Sequence, residues 1–230
     1  MRTRFAALAL IASLAATVAQ AAAARTGFQL QVDGALANPT GALGSADGNN
    51  ISNLLGRGGG FALTGSVGLR RHWFAALRTG WFRCSDKETA LQFTDTRPLP
   101  GQTRAWGTGP FEQKRGLEAV PVLALLQLRM GGAGRRPGFW FEAGGGMLST
   151  NEKMKLLDTY GEMLEITGYQ RDPAWTLGGG LSGPIPGNCE LVGGVHWDGA
   201  FAGDGANWQS GDKPRFVNAT VGVRYPRVTH

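Results

Sequence analysis

The chain is organised by a rhythm. Eight segments with strand-like alternation are joined by links that are alternately short and long. Short links fall near Arg70–His72, Gly131–Pro137 and Ile185–Asn188; long links fall near Leu36–Gly58, Arg83–Arg115, Ser149–Asp172 and Ala202–Pro214. Strands joined by tight turns run antiparallel. The rhythm therefore predicts an up-and-down meander with its short turns at one end and its long loops at the other. The expected strands are Thr26–Leu36, Gly59–Arg70, Trp73–Phe82, Gly116–Met130, Gly138–Leu148, Pro173–Gly183, Cys189–Phe201 and Arg215–Tyr225. Eight strands close into a barrel whose interior is just wide enough for side chains to fill.

Side chains alternate across a strand with period two, so each segment sorts into two faces. One face is apolar. It carries Phe28, Leu30 and Val32, then Phe61, Leu63 and Val67, then Trp73, Leu77 and Trp81, and it continues in the same way to Val221, Val223 and Tyr225. The other face is small or polar. It carries Asp33, Arg70, Arg78, Arg129, Glu142, His196, Asp198 and Arg224 among Gln, Ser, Thr and Asn. Four of these are arginines and three are acids, close to balance. Charges inside a soluble core are costly unless paired. A soluble lipocalin-like barrel would also put the apolar face inside and these arginines outside. The pattern instead predicts an all-β, eight-stranded antiparallel transmembrane barrel with lipid-facing apolar residues and a lumen plugged by salt bridges. Its short turns are expected to be periplasmic and its long loops extracellular.

Composition agrees. Charged residues make up 17% of the chain, against about 25% in ordinary soluble domains. The longest apolar run, Ala119 to Leu128, is too short for a spanning helix of about 20 residues but suits a tilted strand. At the N-terminus, Arg2 and Arg4 precede the apolar stretch Phe5–Val18. Small residues follow at Ala19-Gln20-Ala21 and Ala22-Ala23-Ala24. That is the form of a secretory signal. The expected organisation is a cleaved leader over 1–24 and one barrel domain over 25–230, monomeric in the outer membrane of a Gram-negative envelope. Cys84 and Cys189 fall at opposite ends of the wall, roughly 25 Å apart, whereas a disulfide needs Cα atoms within about 7 Å; no bridge is expected. The net charge of +6 is spread over scattered basic residues. It predicts no nucleic-acid partner and suits outer-membrane lipid and anionic lipopolysaccharide.

The final strand, Phe216-Val217-Asn218-Ala219-Thr220-Val221-Gly222-Val223-Arg224-Tyr225, alternates and ends on an aromatic. With the leader and the strand count, it makes residues 25–230 resemble the small eight-stranded outer-membrane barrels, of the OmpX type and the OmpA-type transmembrane domain. The resemblance implies recognition of this strand by the barrel-assembly machinery. The chain departs from the pattern by continuing past Tyr225 to His230.

Two constellations could carry chemistry. His196 and Asp198 lie two apart on one strand and point inward, as a catalytic base and its orienting acid would. Some outer-membrane lipid A deacylases have Ser where Asp198 stands, and Ser182 lies too low on the neighbouring strand to replace it. The preferred reading is a structural lumen pair. The second constellation is a mid-wall glycine belt: Gly144 and Gly146, Gly178 and Gly180, and Gly194, with Gly145, Gly179 and Gly193 facing outward. Opposite it, Phe74, Arg78 and Phe82 are expected to fill the vacated space; a lipid-sized opening is the alternative. No cofactor or metal motif is found; Asp204, Asn207 and Asp212 in the last loop offer at most weak calcium ligands. The second loop (Phe93, Pro98, Pro100, Trp106, Phe111) and the third (Leu156, Leu157, Met163, Leu164, Ile166) are the candidate contact surfaces for an unknown extracellular ligand; the third, Asn151–Tyr169, is expected either to extend the hairpin above the membrane or to form a short helix. The expected role is non-catalytic: envelope structure or surface interaction. A lipid-modifying enzyme using His196 and a narrow, porin-like solute channel are the alternatives.

Overall fold

The computed structural model describes residues 27–40, 55–93, 109–131, 137–157, 163–201 and 215–226. The leader and Pro98, Pro100, Trp106, Asp204, Asn207 and Asp212 lie outside them. The described residues form eight strands: β1 (Phe28–Thr40), β2 (Leu55–Arg70), β3 (Trp73–Phe93), β4 (Gly109–Gly131), β5 (Gly138–Leu157), β6 (Met163–Ile185), β7 (Cys189–Ala200) and β8 (Arg215–Tyr225). Each pairs antiparallel with its neighbours in sequence, and β1 pairs with β8 from Leu30↔Tyr225 to Thr40↔Arg215, closing the barrel.

The short-turn end is where the sequence predicts it; at the long-loop end the third link extends its hairpin, one of the two forms expected of it, while the second, expected as a loop, does so as well. Two of the expected loops are largely paired strand. β3 and β4 stay paired out to Phe93↔Gly109, with a register shift between Cys84 and Lys87, and β5 and β6 stay in register out to Leu157↔Met163. Neither Arg83–Phe93 nor Asn151–Leu157 contains a glycine or proline, so the pairing continues on these strands. Of the candidate loop residues, Phe93, Phe111, Leu156, Leu157, Met163, Leu164 and Ile166 therefore belong to strands.

The period-two alternation holds around the wall. Val32, Leu36, Leu77, Val122, Leu126, Phe139, Phe141, Leu177, Leu181, Val195 and Val221 are exposed on the outside, while Asp33, Arg78, Glu142, His196, Asp198 and Arg224 are buried within. Exposed apolar surface of this extent, continuous around the molecule, is not tolerated in water. Aromatics mark both ends of the band. Trp73, Phe139 and Tyr225 stand outside near the short turns. The Phe61–Trp81 pair (6.4 Å between ring centres) and the Trp175–Trp197 pair (5.1 Å) stand toward the loops. Trp73 and Trp81 are eight residues apart on β3, which at a tilt of about 45° is roughly 20 Å of height, close to the apolar band of a membrane barrel.

Arg70 corrects one expectation. It is exposed, not in the lumen. The β2–β3 register shifts between Gly68 and Arg70, and a bulge of that kind moves the following side chain to the other face.

The lumen also differs from a uniformly polar plug. It has two storeys. Near the short turns the inward residues are Gln29, Gln31, Asp33, Ser66, Arg78, Gln127, Glu142, Glu190, His196, Asp198, Asn218 and Arg224. Toward the loops Ala35, Ala37, Leu55, Phe82, Cys84, Leu117, Ala119, Leu123, Leu125, Leu148, Ala174, Ala200 and Phe216 pack as one apolar cluster, with Thr150 and Asp172 the polar residues buried beyond it. Cys84 is buried in that cluster, while Cys189 starts β7 beside the short turn; both are free thiols.

Candidate functional site in the lower lumen

The polar storey is organised around Arg78, which is 3% exposed. From β3 its guanidinium crosses the lumen to three other strands. It donates to Glu142 Oε1 on β5 (2.5 Å), to Thr176 Oγ1 on β6 (2.8 Å) and to Asp198 Oδ1 on β7 (2.6 Å), and it meets His196 Nδ1. Gln127 donates to the second oxygen of Glu142 (2.8 Å), and Asn218 to the second oxygen of Asp198 (2.6 Å). Both carboxylates are thus met on both oxygens, which is what makes burial of such charges tolerable.

Two further arginines sit lower. Arg224 pairs with Glu190 (3.1 Å) and donates to Gln31 (2.9 Å), whose amide in turn donates to Asp33 (2.9 Å). Arg129 lies over the Phe74 ring at 3.9 Å. It donates to Gln29, Ser66 (2.9 Å) and Gln127 (2.5 Å), all neutral acceptors. A cavity of about 20 Å³ beneath them is lined by Gln29, Phe74, Arg129, Ser182, Glu190 and Arg224; that is room for about one water molecule. The expected set of arginines facing acids therefore loses Arg70 and gains Glu190. Glu190 follows Cys189 at the start of β7 and shares the inward parity of His196, so the alternation itself could have found it.

The expected His196–Asp198 pair is not made. Asp198 is committed to Arg78 and Asn218, and His196 Nδ1 instead lies 2.9 Å from Glu142 Oε1. The register explains the exchange. Glu142, Gly178 and His196 lie opposite one another across β5, β6 and β7. Gly178 has no side chain to separate its neighbours, and a Cβ there would sit 2.7 Å from His196 Nδ1. The other ring nitrogen, Nε2, lies 3.1 Å from Thr220 Oγ1. Glu142–His196–Thr220 thus has the connectivity of an acid–base–hydroxyl relay. All three are buried below the apolar storey, Trp140 packs on the imidazole at 5.3 Å, and Arg78 bridges the acid rather than facing the hydroxyl. Ser182 lines the lower cavity, away from His196.

The glycine belt is a set of sockets. Trp140, unremarked in the sequence beside its outward neighbours Phe139 and Phe141, points inward and is 2% exposed. It shares a row with Gly180 and Gly194, and its indole occupies the place of a Gly194 side chain. At Gly144, Gly146 and Gly180 a Cβ would run into the backbone of the neighbouring strand, and at Gly144 it would also meet Leu125. The side chains that fill the space beside the belt differ from those expected. Arg78 reaches this level. Phe74 and Phe82 pack over Gly68 and Gly60 of β2 instead.

A closed eight-stranded barrel with an apolar outside and a charged, internally paired inside defines a transmembrane β-barrel. No family model matches the chain, and no curated protein matches its sequence. Solved structures similar to it include Neisserial surface protein A (NspA), with 12% identity over 87% of this chain and 97% of that one and a TM-score of 0.47. A major outer membrane protein from Thermus thermophilus shares 15% identity over 86% and 98%, with a TM-score of 0.47. The outer membrane protease OmpT from Escherichia coli shares 9% over 86% and 96%, with a TM-score of 0.45. Likenesses this distant carry no information on activity.

Proposed function

We propose that this chain is a non-catalytic barrel of the bacterial outer membrane that acts through the strands rising beyond its wall. One observation carries the reading. β3, β4, β5 and β6 remain paired to Phe93↔Gly109, Glu112↔Leu157 and Leu157↔Met163. Among the described residues, β2 meets β3 no further than Leu55↔Asp86, and β7 meets β6 no further than Ala200↔Ala174. A four-stranded sheet thus continues past the barrel with two lateral edges. On β6 that edge runs, among the described residues, from Met163 to Asp172, about 33 Å of strand. An unpaired edge offers a row of N–H and C=O groups to an incoming strand, so the partner is an extracellular polypeptide that adds in extended form. The plugged lower lumen supports a scaffold rather than a channel, and the strand ending at Tyr225 is the contact for assembly machinery.

The test removes the edge and keeps the barrel. Residues 153–167, bounded by the pair Lys153↔Thr167, are replaced by an Asn-Gly turn. The trimmed protein should still show heat-modifiable mobility on gels and should lose the adhesion of expressing cells to protein-coated surfaces. Adhesion equal to that of the full chain would refute the proposal, and steady single-channel conductance in planar bilayers would refute the plug. The lipid-directed enzyme remains the second reading because of the Glu142–His196–Thr220 line. Deacylation of phospholipid or lipid A by refolded protein, abolished in both His196→Gln and Thr220→Val, would favour it.

A further inference from the structure

The open edge of β6 carries a pattern that is complementary to its own reverse. The Phe201 N–H bonds the Pro173 carbonyl (2.8 Å). Odd-numbered residues of β6 therefore turn their N–H and C=O groups toward the β7 side, and even-numbered ones turn theirs toward β5. The register with β5 is unbroken from Pro173 to Met163, so the rule extends up the edge. The backbone groups offered there include those of Arg171, Tyr169, Thr167 and Glu165, whose side chains are all exposed. Gly168 lies at the middle of this run, with Tyr169 and Thr167 beside it and the base Arg171 and the acid Glu165 at equal distances beyond. Arg171 is positioned by its own Nε–H bond to the Tyr169 hydroxyl (2.6 Å), and Glu165 lies 3.6 Å from Lys155 on β5.

From this pattern we infer that the edge takes a second copy of this chain, β6 pairing antiparallel with β6 of the copy about Gly168. The inference rests on the edge reading above and names its partner. An antiparallel pair of identical strands has a two-fold axis, so its contact must be self-complementary. With the axis at Gly168, Glu165 stands opposite Arg171 of the copy, Arg171 opposite Glu165 of the copy, and Thr167 opposite Tyr169. These are pairs of odd-numbered residues, so each exchanges two backbone hydrogen bonds. Gly168 meets its own equivalent at the close, non-hydrogen-bonded position between them, where the absence of a side chain clears the approach. Neighbouring registers lack the match. An axis at Thr167 sets Arg171 against Met163, and an axis at Tyr169 sets Glu165 against Pro173, which has no N–H to give. Opposite charges directly across a strand pair attract and like charges repel, so charge complementarity selects both the occupant and its register. The axis is perpendicular to the sheet and therefore lies in the membrane plane. The copy is thus inverted and belongs to a facing membrane, while each barrel stays single in its own.

The test uses the mature chain, residues 25–230, refolded one per nanodisc, with pairing of discs followed by analytical ultracentrifugation. Discs of the unaltered protein should pair. Glu165→Arg sets Arg against Arg171 at both symmetry-related contacts, and Arg171→Glu sets Glu against Glu165. Each variant should keep the heat-shifted folded band and weaken its own pairing about tenfold. Mixed together, the two variants should pair with each other as strongly as the unaltered protein does, because each supplies the charge the other lacks. Thr167→Pro removes an N–H from the open edge and none from the β5 side, and should abolish pairing. Discs of the unaltered protein that stay single, charge variants that pair undiminished, or variants that fail to pair on mixing would overturn the inference. Failure here together with adhesion that still requires residues 153–167 would leave the edge with a different polypeptide as its partner; failure of both would remove the edge reading itself.

Discussion

The two storeys of the lumen share one wall and one alternation, yet they are held by different physics. In the lower storey Arg78 joins Glu142, Thr176 and Asp198 from three strands. In the upper storey Leu117, Leu123, Leu125, Leu148, Phe82 and Phe216 simply pack. Directional contacts fail when one partner is removed, because the others stay buried and charged. Dispersion and burial fail gradually, in proportion to the volume lost. Loss of a side chain is therefore expected to be felt more sharply in the lower storey than in the upper.

The comparison can be broken in several ways. The largest effect is expected at the sockets. Gly194→Leu should abolish the heat-shifted folded band, since its side chain competes with Trp140 and with the Gly179 carbonyl. Gly193→Leu, on the opposite face of the same strand, should leave the band intact. Equal outcomes would overturn the assignment of faces.

Next comes the hub. Arg78→Met should lower stability in urea unfolding from lipid vesicles by about 3–5 kcal/mol, the cost of leaving buried acids unpaired. Adding Glu142→Gln should recover part of that loss, and a double-mutant cycle without coupling would dissolve the network. Leu117→Ala in the upper storey should cost about 2–4 kcal/mol by leaving a cavity, with no coupling to the Arg78 substitution. Measurable coupling would make the storeys one unit. The smallest effect is expected at Arg70, where alanine should leave the unfolding midpoint unchanged because the side chain faces out; a loss comparable to that of Arg78→Met would return it to the lumen.

Much of this was legible in the chain. Period two is a property of the strand backbone, so Asp33, Glu142, Asp198 and Arg224 could be assigned inward without knowing any partner. The bulge at Gly68–Arg70 was not legible, because a single inserted residue leaves the composition of the segment unchanged. The partner of His196 was hidden for a different reason. Asp198 is nearer in sequence, but Glu142 is nearer across the row through Gly178, and rows exist only once the register is set. Trp140 was masked by its outward neighbours Phe139 and Phe141. The paired extension of β3 and β4 read as a loop because charged residues interrupt the apolar face there.

By itself, then, the sequence determined the strand count, the short-turn end and the face of nearly every wall residue, since those follow from local alternation and turn chemistry. Only the tertiary structure decided which charges meet, which glycines are sockets, where the polar lumen gives way to the apolar one, and how far the sheet rises beyond the wall. Those depend on the register between strands distant in the chain, which local alternation does not encode.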